Sequence, residues 1–139
     1  MTRDETTAFL PGTIACPTHL GAASYAVPTL DWLQAKCWPA FRSRLWSENL
    51  DKWIVRWECR DFARAFACFA LECWATSALL PSLDDGLSVG EIWFRLTPTT
   101  GHAICPAITD QGLVFIEPQT GQLCTLTPEQ LSSRYFLRF

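Results

Sequence analysis

The apolar pattern of this 139-residue chain changes its period once, near Gly90. Before that glycine, apolar residues recur every three or four positions, most clearly from Glu58 to Leu79, which is the period of an amphipathic helix. After it, short runs rich in β-branched and aromatic residues alternate with turns such as Asp110-Gln111-Gly112, a pattern typical of strands. Helices first and an antiparallel sheet second predict an α+β fold.

The length suits one domain with a sizeable core, so a single domain over residues 1–139 is predicted. Within it we expect an irregular lead-in at 1–27, a mainly helical part at 28–80 and a mainly antiparallel sheet at 90–139. The expected strands are 91–96, 102–108, 113–117, 122–126 and 135–139, with a short strand around 24–27 and a helical turn at 128–132. A helix beginning after Thr29 should kink or restart at Pro39.

Composition and charge argue against several classes of protein. A net charge of -3 gives no support for nucleic-acid binding, and no stretch approaches the roughly 18 apolar residues of a membrane span. No apolar segment of a secretory signal follows Met1 to Thr7, so we expect a cytoplasmic protein with no membrane partner. Seven cysteines, an odd number without regular spacing, predict free thiols, and no cofactor is expected. Cys16 and His19 make only half of a metal site, so no metal is expected.

Three residues that could act together occur in the order Cys59, His102 and Glu117. Cys59 begins the strongest predicted helix, and a helix N-terminus and a nearby imidazolium both favour a thiolate. His102 begins a predicted strand, and Glu117 ends the next one, where a carboxylate would fix the imidazole tautomer. Gln119 is an alternative orienting residue. His19, the second histidine, is the alternative partner for the cysteine.

The segments Cys59-Arg60-Asp61-Phe62-Ala63 and Gly101-His102-Ala103, with the acidic residue fifteen positions after the histidine, resemble the transglutaminase-like branch of the papain-like cysteine peptidases. The resemblance spans about Trp53 to Gly121. It implies a central helix with an N-terminal cysteine packed on an antiparallel sheet, and a Cys-His-acid catalytic triad. That family usually has aspartate where Glu117 stands here.

The resemblance implies a cysteine hydrolase or acyltransferase that uses Cys59 as nucleophile, His102 as acid and base, and Glu117 as orienting residue. A peptide, amide or saccharide-containing substrate would fit, and Gln34 is a candidate side-chain donor to an oxyanion. The alternative is a non-catalytic module that binds a sugar or peptide on the same scaffold. In either case Trp57 and Trp93 are candidate walls of the ligand groove. Oligomeric state is left open.

Overall fold

The α+β composition predicted from the sequence is confirmed by a computed structural model. The structure describes residues 1–2, 5, 18–19, 22–77 and 85–139, the side chains of 18–19 excepted. Most of the predicted lead-in, Cys16 and the predicted helix end at Leu79 therefore lie outside the described residues. Within the described part of the chain, no helix is both long and apolar enough to cross a bilayer.

The first helical region changes type at a proline. A π-helical segment, Trp32–Cys37, runs directly into helix α1, Trp38–Ser47, which has Pro39 in its first turn. Proline has no N–H and its ring clashes with the carbonyl four residues earlier, so the usual i to i−4 ladder cannot pass through it. The Trp38 N–H instead bonds the Leu33 carbonyl, one residue further back. The predicted restart at Pro39 is this change of helix type.

Helix α2, Cys59–Ala75, is the central helix of the fold. Its buried residues, at the expected spacing of three or four, are Phe62, Ala63, Phe66, Ala70 and Trp74. It stops at Ala75, short of the predicted Leu79. The hydroxyls of Thr76 and Ser77 bond back to the carbonyls of Glu72 and Trp74 there, an alternative to continuing the helix.

The predicted strands and the last helix occur in the predicted order, together with two short strands that the sequence did not predict, at 18–19 and 86–87. They are β1 Thr18–His19, β2 Tyr25–Ala26, β3 Gly86–Leu87, β4 Glu91–Arg95, β5 Gly101–Thr109, β6 Gly112–Ile116, β7 Leu123–Cys124, helix α3 Pro128–Ser132 and β8 Phe136–Arg138. Among the described residues, a six-stranded sheet has the order β1-β8-β4-β5-β6-β7, antiparallel except for the β1–β8 pair. Strands β2 and β3 form a separate parallel pair.

The sheet carries apolar residues on both faces. The larger core lies between the sheet and the helices and includes Leu33, Phe41, Phe66 and Cys105. The smaller core lies on the other face and consists of Ile92, Phe94, Ile104, Leu126 and Leu137. The alternation along β4 follows from the two-residue period of a strand, which sends Ile92 and Phe94 to one face and Trp93 to the other.

Candidate functional site

Cys59 occupies the first position of α2, as the sequence predicts. The chain is extended at Glu58, and the Glu58 N–H donates to the Asp61 carboxylate at 2.9 Å, which fixes the helix start. The partial positive charge of a helix N-terminus favours an anion at this position. Cys59 is half-buried, with its thiol in hydrogen-bond contact with the His102 ring.

His102 and Glu117 are brought together by the register of two strands. Cys105 on β5 lies opposite Ile116 on β6, so the next residue, Glu117, faces Ile104. His102 lies two residues from Ile104 along β5, which makes it a diagonal neighbour of Glu117. The Nε2 atom of His102 lies 2.8 Å from Oε2 of Glu117. Both side chains are largely shielded, at 23% and 16% exposure.

The pKa values of Cys59 and His102 are shifted toward a thiolate and an imidazolium. The hydrogen bond from His102 lowers the pKa of the Cys59 thiol despite its partial burial. The pKa of His102 rises to about 9, first because of the hydrogen bond to Cys59 and then because of that to Glu117. A cysteine stabilised in this way is a thiolate at a lower pH than an ordinary buried cysteine, and it is a better nucleophile. By contrast, burial raises the pKa of the Cys105 thiol well above its usual range.

A tight turn after β6 holds Glu117 in place. The backbone N–H of Gln119 donates to Oε1 of Glu117 at 3.2 Å, so the structure gives Gln119 an orienting contact through its backbone. Gly121 has φ +74°, and a Cβ there would come within 2.4 Å of the Trp38 indole. The Trp38 indole N–H also donates to the Pro118 carbonyl at 2.9 Å. Trp38 therefore packs against the turn that positions Glu117. Its helical spacing alone did not reveal this contact.

The described residues around Cys59 form an open cleft of about 320 Å³. Its lining residues are Glu58, Cys59, Arg60, Trp93, Gly101, His102, Ala103 and Tyr135. Trp93 and Tyr135 meet edge to face, with ring centroids 6.2 Å apart, and form an aromatic wall. The sequence predicted Trp93 here but not Tyr135, which comes from the segment before β8 and reaches the cleft only through the β4–β8 pairing.

The remaining predicted residues lie elsewhere or outside the described part. Trp57 packs against Phe62 at 5.4 Å and lines a different cavity with Phe41 and Phe69. Gln34 lies within the π-helical segment. The side chain of His19 lies outside the described part of the structure. Among the residues that are described, no three His, Cys, Asp or Glu side chains gather as a metal site would require.

Two solved structures share this fold over the whole chain. One, described as "PSL1a-E64 complex", has a TM-score of 0.77 and 21% sequence identity. The match covers 100% of this chain and 51% of the other chain. The other is a Polyporus squamosus lectin bound to the human-type influenza-binding epitope Neu5Aca2-6Galb1-4GlcNAc. It has a TM-score of 0.75 and 21% identity, with 100% and 49% covered. No family model and no curated protein matches the chain.

This comparison corrects the predicted family. One of these structures is that of a lectin, and the chain spans about half the length of each. The predicted membership of the transglutaminase-like or papain-like peptidases is therefore wrong, and so is the predicted cysteine hydrolase or acyltransferase with its catalytic triad. A peptide or amide partner is not supported. The physical reason is that the Cys-His-acid spacing is fixed by the scaffold: α2 begins beside β5, and the β5–β6 register sets the fifteen-residue interval. Such spacing reports the fold and does not report turnover.

Proposed function

We propose that this chain is a ligand-binding module that takes a saccharide-containing ligand in the cleft above Cys59. The observation that carries the proposal is the composition of that cleft, an aromatic wall of Trp93 and Tyr135 beside charged groups of Glu58 and Arg60. The likeness to a lectin supports the choice of a saccharide over a peptide.

The chemistry of a sugar suits this combination of groups. One face of a pyranose ring presents C–H groups that pack on an aromatic surface, and its rim presents hydroxyls that need donors and acceptors. Arg60 supplies donors in a fixed planar fork, and Glu58 supplies two acceptor oxygens. Nε of Arg60 lies 3.5 Å from Oε2 of Glu58, and the two side chains are 56% and 36% exposed, so a weak surface ion pair is all that a ligand would have to loosen. At about 320 Å³, the cleft lies at the small end of ligand sites and suits one or two sugar rings.

Cys59 and His102 form the floor of this cleft, and Glu117 holds the His102 ring without lining the cleft itself. Nε2 of His102 is engaged by Glu117, and the raised pKa of the ring makes it a positively charged part of the cleft floor. Arg60 stands beside this floor with its side chain 56% exposed. A saccharide that carries a carboxylate, such as one ending in Neu5Ac, would pair with that guanidinium.

A second described cavity is less suited to a sugar. It has a volume of about 220 Å³ between α2 and the strands β3 and β4, and its walls include Leu71, Leu87, Val89 and Phe139. Glu91 and Arg138 also line it, but most of its walls are apolar and would leave sugar hydroxyl groups without hydrogen-bond partners. The cleft above Cys59 is therefore the site that we assign to the ligand.

The test is titration calorimetry of the purified chain with Neu5Aca2-6Galb1-4GlcNAc, the epitope bound by the similar lectin. Trp93→Ala should weaken binding about tenfold, because it removes the larger part of the aromatic wall. Trp46→Ala is the matched control, since Trp46 is 71% exposed on α1 and does not line the cleft. Arg60→Gln should weaken binding of the sialylated trisaccharide more than that of the same sugar without Neu5Ac.

Three results would contradict the proposal. The first is absence of binding to both sugars, and the second is equal binding by wild type and Trp93→Ala. The third is turnover: hydrolysis of a peptide or ester panel by wild type, abolished in Cys59→Ala, would show that the floor of the cleft performs chemistry. E64, named with the other similar structure, serves as a competitor that should displace the sugar if both occupy the cleft.

A further inference from the structure

The segment 52–56 forms a tip of apolar side chains exposed to solvent. Trp53, Ile54 and Val55 are 57%, 48% and 80% exposed, and all five residues of the segment are exposed. Each of these three side chains leaves a large apolar area in water, and they are consecutive. Contiguous exposed apolar surface of this kind is typical of an interaction site.

The turn at the tip breaks the ordinary rules of turn composition. The backbone reverses between Ile54 and Trp57, which exchange two hydrogen bonds of 3.2 and 2.7 Å. Gly, Pro, Asn, Asp and Ser are the residues that favour such turns, whereas Val55 and Arg56 occupy this one. Val55 and Arg56 do not favour a turn and are exposed, so they gain no packing there. Their presence indicates a functional requirement on those side chains.

Two cations frame the apolar tip. Lys52 precedes it and Arg56 follows Val55, against the single carboxylate of Asp51 in this stretch. The ion pairs made by arginines of the described residues involve Arg44, Arg60, Arg64 and Arg138. The charges of Lys52 and Arg56 are therefore left to solvent within the described structure, on either side of the apolar residues.

We propose that the 52–56 tip inserts into the interface of an anionic lipid membrane. Tryptophan prefers the headgroup level, the aliphatic side chains enter the acyl boundary, and lysine and arginine meet the anionic headgroups. The three apolar side chains are 48–80% exposed, so they can enter a deformable lipid surface without rearranging. A second copy of the chain is a poorer occupant, because two such tips bury far less than the roughly 1,200 Å² of a stable protein interface.

A membrane-binding tip would contradict the expectation that the chain has no membrane partner. That expectation rested on the absence of a spanning segment, which says nothing about peripheral binding. The tip ends three residues before Cys59, so a membrane-bound chain would present the cleft close to the bilayer surface. A saccharide carried by a membrane component would then be within reach.

The test is co-sedimentation of the chain with vesicles of phosphatidylcholine, with and without phosphatidylserine, at low and high salt. We expect binding that requires phosphatidylserine and weakens as salt is raised. Lys52→Gln and Arg56→Gln should each weaken it about fivefold, and Val55→Asn by at least a similar factor. Asparagine suits a turn, so Val55→Asn removes the apolar contact without disturbing the fold.

The controls change the same residue types elsewhere. Leu71→Ser alters an apolar side chain that is 48% exposed on α2, and Lys36→Gln removes an exposed cation from the π-helical segment. Both should bind vesicles like the wild type. Absence of binding to phosphatidylserine vesicles, or equal losses in tip and control variants, would overturn the proposal. So would a dimer in sedimentation velocity that Val55→Asn dissociates, since the tip would then bind a second copy.

Discussion

The His102 imidazole should titrate far above an ordinary histidine and lose part of that shift when Glu117 becomes glutamine. Folding raises the pKa of His102 from 6.5 to about 9, so its protonated form is favoured by about 3 kcal/mol. The thiol of Cys59 is the largest cause and Glu117 the second. We therefore expect Glu117→Gln to lower the pKa by about one unit, or about 1.4 kcal/mol, and Cys59→Ala to lower it further.

The same shift makes stability depend on pH. Because the folded pKa lies above the unfolded one, protonated His102 contributes its full stability below about pH 6.5, and this contribution disappears as the pH rises through about 9. Cys59 acts in the opposite sense. Its folded pKa is lowered, so its contribution is fully present above the unfolded thiol pKa and is lost as the pH falls through the folded value.

The assay is an NMR titration of the imidazole C–H signals together with urea unfolding across the same pH range. The chain has two histidines, so His19→Gln assigns the His102 signal. The difference in unfolding free energy between wild type and Glu117→Gln should shrink from about pH 6.5 to above pH 9. A wild-type His102 that titrates near 6.5, or a Glu117→Gln variant that titrates like the wild type, would refute the reasoning.

The thiol of Cys59 should react with iodoacetamide at mildly acidic pH faster than the other cysteines, because its pKa is lowered. His102→Ala should slow this reaction. Equal rates at all sites, measured by peptide mass spectrometry, would contradict the prediction. Gly121→Ala should destabilise the fold by more than 1 kcal/mol in urea unfolding, because φ is +74° and the new Cβ meets the Trp38 indole; an unchanged midpoint would count against the described turn. Phe66→Ala should cost about 3–5 kcal/mol, because Phe66 is fully buried, and a loss below 1 kcal/mol would place it outside the core.

Local sequence signals predicted several elements closely. The apolar period predicted α2, and the Thr127, Pro128 and Gln130 pattern matches a helix start. In the structure, Thr127 accepts from the Gln130 N–H at 3.2 Å and Gln130 accepts from the Thr127 N–H at 2.9 Å. These features depend on residues within four positions of each other, so their physical causes are visible in the chain itself.

The sequence also indicated that Cys59, His102 and Glu117 belong together, although it did not indicate for what purpose. The spacing of fifteen residues follows from two paired strands and a short turn, and those are readable from alternation and turn residues. The function attached to that spacing was wrong, because the same scaffold can support binding or turnover. The cleft composition that supports a saccharide depends on residues from three separated parts of the chain.

Local sequence thus determined where most of the helices and the longer strands lie, because capping, turn chemistry and apolar period act over a few residues. Tertiary structure decided which side chains meet. Tyr135 reaches Trp93 only because β8 pairs with β4, Trp38 supports Glu117 only because α1 packs under the turn, and Trp57 is turned toward a different cavity. No local pattern records these contacts, since each joins residues tens of positions apart through packing that the whole domain must form together.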